Sequence, residues 1–144
     1  MLTVYCSAME AREYFKEVSG YCDISADNSP RMCIVSGETE AIRALRGIYE
    51  KAGIQTELLP VSHGYHSLLI SHARKPYRSV LDTCTFYQPV YDIISTITGS
   101  SLRYLRVDDY PALLESQFVE PVRLQQAIEN AHEAGMQLFI ECGP

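Results

Sequence analysis

The first sixty residues carry strand and helix signals in the order β-α-β-β-α-β, and few folds satisfy that order. Met1–Cys6 is apolar and β-prone. Ser7-Ala8-Met9-Glu10 reads as a capping box, in which Ser7 and Glu10 satisfy the opening backbone amides of a helix. Ala11, Tyr14, Phe15 and Val18 recur at helical spacing, and Gly20 stops that helix. Cys22, Ile24 and Ala26 alternate with polar residues, as a strand does, and Asn28-Ser29-Pro30 is a turn signal. Met32–Val35 predicts another strand, closed by Ser36-Gly37. Thr39 is placed to cap the next helix, whose apolar stripe is Ala41, Ile42, Leu45, Ile48, Tyr49 and Ala52, with Gly53 at its end. Ile54–Leu59 predicts a fourth strand. This is the split β-α-β pattern of a ferredoxin-like unit, an antiparallel sheet with two helices on one face. Such units host many functions, so the pattern alone assigns none.

After Pro60 the pattern changes. Leu68, Leu69, Ile70 and Ala73 predict a short helix, interrupted near Pro76, and Tyr77, Val80 and Leu81 a second stretch. Pro89–Ile94 reads as a strand, followed by a polar loop around Gly99. Asp108-Asp109-Tyr110-Pro111 starts a helix with acidic residues and an early proline. Pro121 opens another, with Val122, Leu124, Ala127, Ile128 and Ala131 on one face and Gly135 at its end. Gln137–Glu141 predicts a last strand. Strands separated by helices suggest a piece of a parallel α/β sheet. Residues 1–60 are therefore expected to form a small ferredoxin-like subdomain, and residues 61–144 part of an α/β core. A chain ending on a strand and Gly-Pro reads as cut, and a half-sheet of this kind exposes open edges unless another segment completes it.

Composition narrows the partners. A net charge of −6 disfavours nucleic acid, because phosphate contacts need a basic face. No run of about 18 apolar residues is present, so no membrane span is expected. The start reads as a strand rather than a secretory leader. Five cysteines at wide spacing, with no C-x-x-C pair, suit reduced thiols in a cytoplasmic protein.

Chemistry points to Val61-Ser62-His63-Gly64-Tyr65-His66-Ser67. A histidine at a strand-to-helix turn is suited to proton transfer, because its ordinary pKa lies near neutrality. The same residue types also serve as structural caps of a turn, and the spacing alone leaves both readings open for His63 and His66. His63, His66 and His72 match no zinc spacing, so no metal is expected. His132, near a helix C-terminus, suits a solvated cation there. No G-x-S-x-G elbow and no phosphate loop occurs. Arg74, Lys75 and Arg78 form a basic cluster, either a solvated helix face or a patch for an acidic partner.

Five motifs, in order, resemble the malonyl-CoA:acyl carrier protein acyltransferase family, in particular the acyltransferase domains of polyketide synthases. Ile24-Ser25-Ala26-Asp27-Asn28-Ser29-Pro30 with Cys33-Ile34-Val35-Ser36-Gly37 resembles I-A-x-x-N-x-P and V-V-S-G. Val61–Ser67 resembles V-S-H-A-F-H-S, and Ser95-Thr96-Ile97-Thr98-Gly99 resembles S-N-V-T-G. Glu120-Pro121-Val122-Arg123-Leu124 is similar to x-P-V-R-F, and Phe139-Ile140-Glu141-Cys142-Gly143-Pro144 to F-x-E-x-G-P. The resemblance implies an α/β-hydrolase-like core carrying a ferredoxin-like insertion, of which this chain is the C-terminal part.

The resemblance further implies a ping-pong transfer of a malonyl or related unit from CoA to the phosphopantetheine thiol of an acyl carrier protein, through an acyl-serine. His66 matches the general base and acid, and the carbonyl of Gln117 matches the group that orients its imidazole. His63, Gly64 and Tyr65 match the acyl-pocket motif, with Gly-Tyr in place of Ala-Phe. The serine elbow and the arginine for the malonyl carboxylate precede Met1 in the family order. The partners implied are an acyl carrier protein, malonyl-CoA or a related acyl-CoA, and the missing N-terminal half of the domain. The CoA thioester is a substrate, no bound cofactor is implied, and the chain alone is expected to be inactive. Two competing readings are a non-catalytic module that docks carrier protein, and a hydrolase pairing Cys84 or Cys142 with His66.

Overall fold

The computed structural model of the chain describes residues 1–143. Four strands and two helices follow the order read from the first sixty residues: β1 (Leu2–Val4), α1 (Ala8–Glu13), β2 (Cys22–Ser29), β3 (Met32–Gly37), α2 (Thr39–Lys51) and β4 (Thr56–Leu58). The sheet runs β4-β1-β3-β2, with β1 antiparallel to β3 and β4, and β2 antiparallel to β3. This is the ferredoxin-like topology, because the two β-α-β units interleave their strands.

Period-two patterning explains why the sheet closes on α1 and α2. Leu2 sits opposite Val35, and Val4 opposite Cys33, and all four are fully buried. On α2, Ala41, Ile42, Leu45 and Tyr49 turn to the same core. A fully buried Leu or Val side chain contributes about 1.5–3 kcal/mol, so this face is the main support of the unit. Tyr49 donates its hydroxyl to the Ala11 carbonyl at 2.8 Å and meets the Tyr14 ring edge-on at 5.2 Å, which locks α2 to α1. Ser7 caps α1 by accepting the Glu10 amide at 3.1 Å. Thr39 is the first residue of α2 rather than its cap. Glu38 holds the cap position, with no side-chain hydrogen bond.

The second region departs further from expectation. The stretch after Pro121 first forms a short strand, β5 (Val122–Arg123), parallel to β2, and only then the helix α5 (Leu124–Glu133). The sheet thus gains a fifth strand at its β2 edge. Two register irregularities in β2, between Ile24 and Ala26 and between Asp27 and Ser29, break the simple alternation there. Ile24, Ser25 and Ala26 are all buried as a result. Pro89–Ile94 is not a strand; a single bridge joins Ile94 to Ser101. Gln137–Glu141 is not a strand either, and it leaves Leu138 at 78% and Ile140 at 75% exposure. Both segments have strand-like composition but no neighbouring strand to accept their backbone bonds.

Between the two regions, a 3-10 turn (Leu68–Ala73) leads into α3 (Arg74–Leu81), which packs beside α4 (Tyr110–Ser116). Pro76 lies in the first turn of α3, where its missing N–H costs no helix bond. Pro111 does the same for α4. Among the described residues no helix is long and apolar enough to cross a membrane.

Gly37 closes β3 under the Tyr21–Cys22 backbone. A Cβ there would meet the Tyr21 carbonyl oxygen at 2.7 Å and the Cys22 Cβ at 2.9 Å. Gly37→Ala is expected to lower unfolding stability by about 1–3 kcal/mol, measured by urea denaturation. An unchanged midpoint would show that the strand end yields more freely than this packing allows.

Candidate active site

His66 is the only residue other than glycine with positive φ among the described residues, at 52°. Histidine tolerates this left-handed conformation better than most residues, but holding it requires fixed neighbours. Those neighbours come from both regions. Ser36, fully buried at the end of β3, donates its hydroxyl to the Tyr65 carbonyl at 2.7 Å. On the other side, the Ser67 amide donates to the Phe118 carbonyl at 3.1 Å, just past the end of α4. Ser67 also donates its hydroxyl to the Gly64 carbonyl and accepts the Leu69 amide at 3.3 Å, so one buried side chain closes the turn and caps the 3-10 segment. The Tyr21 hydroxyl accepts the Leu68 amide at 3.2 Å.

The imidazole itself is half-buried, with Nδ1 2.8 Å from the Gln117 carbonyl oxygen. A carbonyl only accepts, so Nδ1 carries a proton, and in the neutral ring Nε2 then presents a free lone pair. Gln117 caps the C-terminus of α4, where helix carbonyls lack intrahelical partners. Tyr65, His66, Ile70, Gln117 and Phe118 line an open, largely apolar cavity of about 140 Å³. This arrangement can take a proton at Nε2 from a group entering the cavity and return it.

The expected site residues divide between two cavities. His66, Gln117 and Tyr65 share the first. His63 and Gly64 instead line a cavity of about 250 Å³ between the β4 edge and α2, together with Thr39, Arg43 and Ser62. His63 is exposed, its Nδ1 2.8 Å from the Ser62 hydroxyl and its ring 6.0 Å from that of Tyr65. Gly64 leaves room for a neighbour: a Cβ there would meet Leu69 Cδ1 at 2.8 Å and Ser67 Oγ at 3.3 Å. Ile70, Phe118 and Ser36 were not anticipated as site residues. Their places depend on contacts far along the chain, and no local spacing marks them.

No family model matches the chain. Individual relatives do. It is 30% identical over 146 residues to the mitochondrial malonyl-CoA-acyl carrier protein transacylase of Mus musculus, covering 96% of this chain and 38% of that protein. It is 29% identical over 146 residues to the polyketide synthase GfsA of Streptomyces halstedii, covering 100% of this chain and 2% of that protein. Among solved structures, it matches the acyltransferase domain from the second module of the salinomycin polyketide synthase. The TM-score is 0.82 at 27% identity, over 93% of this chain and 31% of that one. Over nearly its whole length the chain is similar to these acyltransferases, and it spans less than half the length of each. The mixed α/β architecture, with its ferredoxin-like unit, is the architecture of those domains.

Within this chain, other reactive side chains are set apart from His66. Cys6 and Cys33 are buried and Cys22 is half-buried. Burial raises all three thiols above their ordinary range, Cys33 to about 12. Cys84 and Cys142 are exposed, and neither lines the cavity that holds His66. Of the basic cluster, Arg74 and Arg78 turn to Glu115 at 3.1 and 3.4 Å, and Arg78 also meets Asp82 at 2.7 Å. Their charge is largely taken up within the chain. Among the described residues no three or more His, Cys, Asp or Glu side chains gather where they would hold a metal ion.

Thiol chemistry follows from this burial. Under native conditions near pH 8, iodoacetamide should label Cys84 and Cys142, with Cys6, Cys22 and Cys33 reacting only after unfolding; mass spectrometry of the alkylated chain checks it. Between the ordinary thiol pKa near 8.5 and the raised value of Cys33, the folded state holds a proton that the unfolded state has lost. Stability should therefore fall as pH rises from about 9 toward 12, and the fall should be shallower in Cys33→Val, as read from urea midpoints.

Proposed function

We propose that this chain supplies the acid–base half of an acyltransferase that moves a malonyl or related acyl unit from CoA to the phosphopantetheine thiol of an acyl carrier protein in polyketide biosynthesis, as a cytoplasmic activity. The observation that carries the reading is the 2.8 Å contact of His66 Nδ1 with the Gln117 carbonyl, which leaves Nε2 free at an open cavity. The nucleophile is a serine on the N-terminal half of the domain, outside this chain. No resident cofactor is required, because the CoA thioester brings its own activated carbonyl.

In the first half-reaction, His66 Nε2 takes the proton of the serine hydroxyl as its oxygen attacks the thioester carbonyl. The tetrahedral adduct collapses by breaking its carbon–sulfur bond, and the imidazolium gives the proton to the departing thiolate. The products are free CoA and an acyl-serine. In the second half-reaction, the phosphopantetheine thiol loses its proton to Nε2 and attacks the acyl-serine carbonyl. The carbon–oxygen bond to serine breaks, and the imidazolium returns a proton to that oxygen. The Gln117 carbonyl holds the productive tautomer throughout and faces the positive charge of the imidazolium. Tyr65 lines the cavity that holds His66, and His63 and Gly64, next to it in the chain, line the neighbouring cavity; we assign acyl selection to these three.

The alternative of a carrier-protein docking module draws on the ferredoxin-like unit and on the basic turn at Arg74–Arg78. The Glu115 and Asp82 contacts of Arg74 and Arg78 weaken that reading.

The test is reconstitution with a second polypeptide carrying the G-H-S-x-G half, offered labelled malonyl-CoA and a carrier protein. The chain alone should transfer no label, and the mixture should load the carrier. His66→Asn keeps a residue that accepts positive φ and removes the base. Its rate should fall by about 10²–10⁴-fold. A loss smaller than about tenfold would remove His66 from the mechanism.

A further inference from the structure

Residue 117 is tied at two points. Its carbonyl receives the His66 ring, and its side-chain Nε2 donates to the Tyr77 hydroxyl at 3.3 Å. The next residue, Phe118, meets the Tyr77 ring edge-on at 5.0 Å. Two residues earlier, Glu115 lies against Arg74 Nε at 3.1 Å and Arg78 Nη1 at 3.4 Å, with its side chain only 17% exposed. Arg74, Tyr77 and Arg78 stand at i, i+3 and i+4 of α3, which is one face of a helix. That face therefore grips residues 115, 117 and 118, at and just past the end of α4, at once.

The grip matters because α4 is short. A helix of seven residues has little stability of its own, and its last turn is where fraying begins. The Gln117 carbonyl belongs to that turn. A hydrogen bond weakens steeply once its geometry opens, so small movement of the turn releases the ring. Two guanidiniums converge on one half-buried carboxylate, Arg78 through a hydrogen bond at 3.4 Å and Arg74 through an ion pair whose Nε makes no hydrogen bond, and their joint charge attraction resists such movement.

We propose that Glu115 and Tyr77 are positioning residues: through the α3 face they hold the Gln117 carbonyl at the place and angle that keep His66 in its Nδ1–H tautomer. This rests on reading His66 as the base, and neither residue touches substrate.

The test is the ¹⁵N spectrum of the His66 ring at a pH where the ring is neutral, in wild type, Glu115→Gln and Tyr77→Phe, together with kcat and KM in the reconstituted enzyme. The expected result is a predominantly Nδ1–H ring in wild type. Glu115→Gln should lose most of that preference, and Tyr77→Phe part of it. The reconstituted kcat should fall at least about tenfold in Glu115→Gln with KM held. An unchanged tautomer and unchanged kcat in both variants would overturn the clamp and leave the role of His66 standing. A wild-type ring protonated at Nε2 would instead overturn the reading of the His66–Gln117 contact itself, and the clamp with it. If Glu115→Gln fails to fold, Tyr77→Phe, which deletes one hydroxyl, decides the matter by the same readouts.

Discussion

The turn at His66 is held from both sides, and the remaining geometry follows from that. From the sheet side, the buried Ser36 hydroxyl binds the Tyr65 carbonyl. From the helical side, the Phe118 and Gln117 carbonyls receive the Ser67 amide and the His66 ring. A residue at φ 52° between such partners cannot relax without breaking at least one of these bonds. The ferredoxin-like unit is thus more than a platform: Ser36, the turn-facing serine of its third strand, fixes one side of the turn. The stability of that unit is coupled to the direction in which the imidazole points.

The join between the regions has a second element in β5. Two residues, Val122 and Arg123, extend the sheet in parallel beside Ala26 and Asp27. Arg123 reinforces the join by donating its amide to the Thr96 carbonyl at 2.7 Å and its Nε to the Ile97 carbonyl at 3.0 Å. Asn130 on α5 donates to the Gly99 carbonyl, which ties the loop of residues 95–99 to the same helix. Several of the motifs that resemble the acyltransferase family therefore meet in space: the residues around Ala26, those around Gly99 and those around Arg123 form one junction.

The ferredoxin-like unit was legible because both of its signals are local. Leu2 and Val4, then Cys33 and Val35, alternate at period two, and Ile42, Leu45 and Tyr49 repeat along a helix, so burial follows composition directly. Pro89–Ile94 and Gln137–Glu141 misled for the complementary reason. Strand-like composition reports what a segment would do beside a partner strand, and neither segment has one here. The stretch after Pro121 misled because a two-residue strand carries too little pattern to separate it from the start of a helix. In the site, His66 and Gln117 were named through family resemblance, whereas Ile70, Phe118, Tyr77 and Glu115 had no signal in spacing or type.

By itself the sequence determined the order of elements in the first sixty residues, the face each of them buries, and the turn to which the proposed proton chemistry is assigned. These depend on periodicity and on the properties of single side chains, which act over a few residues. Only the tertiary structure decided which nitrogen of His66 carries the proton, which carbonyl holds it, and that His63 and His66 open onto different cavities. Those outcomes depend on a contact between residues 66 and 117, and the angle of a hydrogen bond across such a separation is set by how the helices pack.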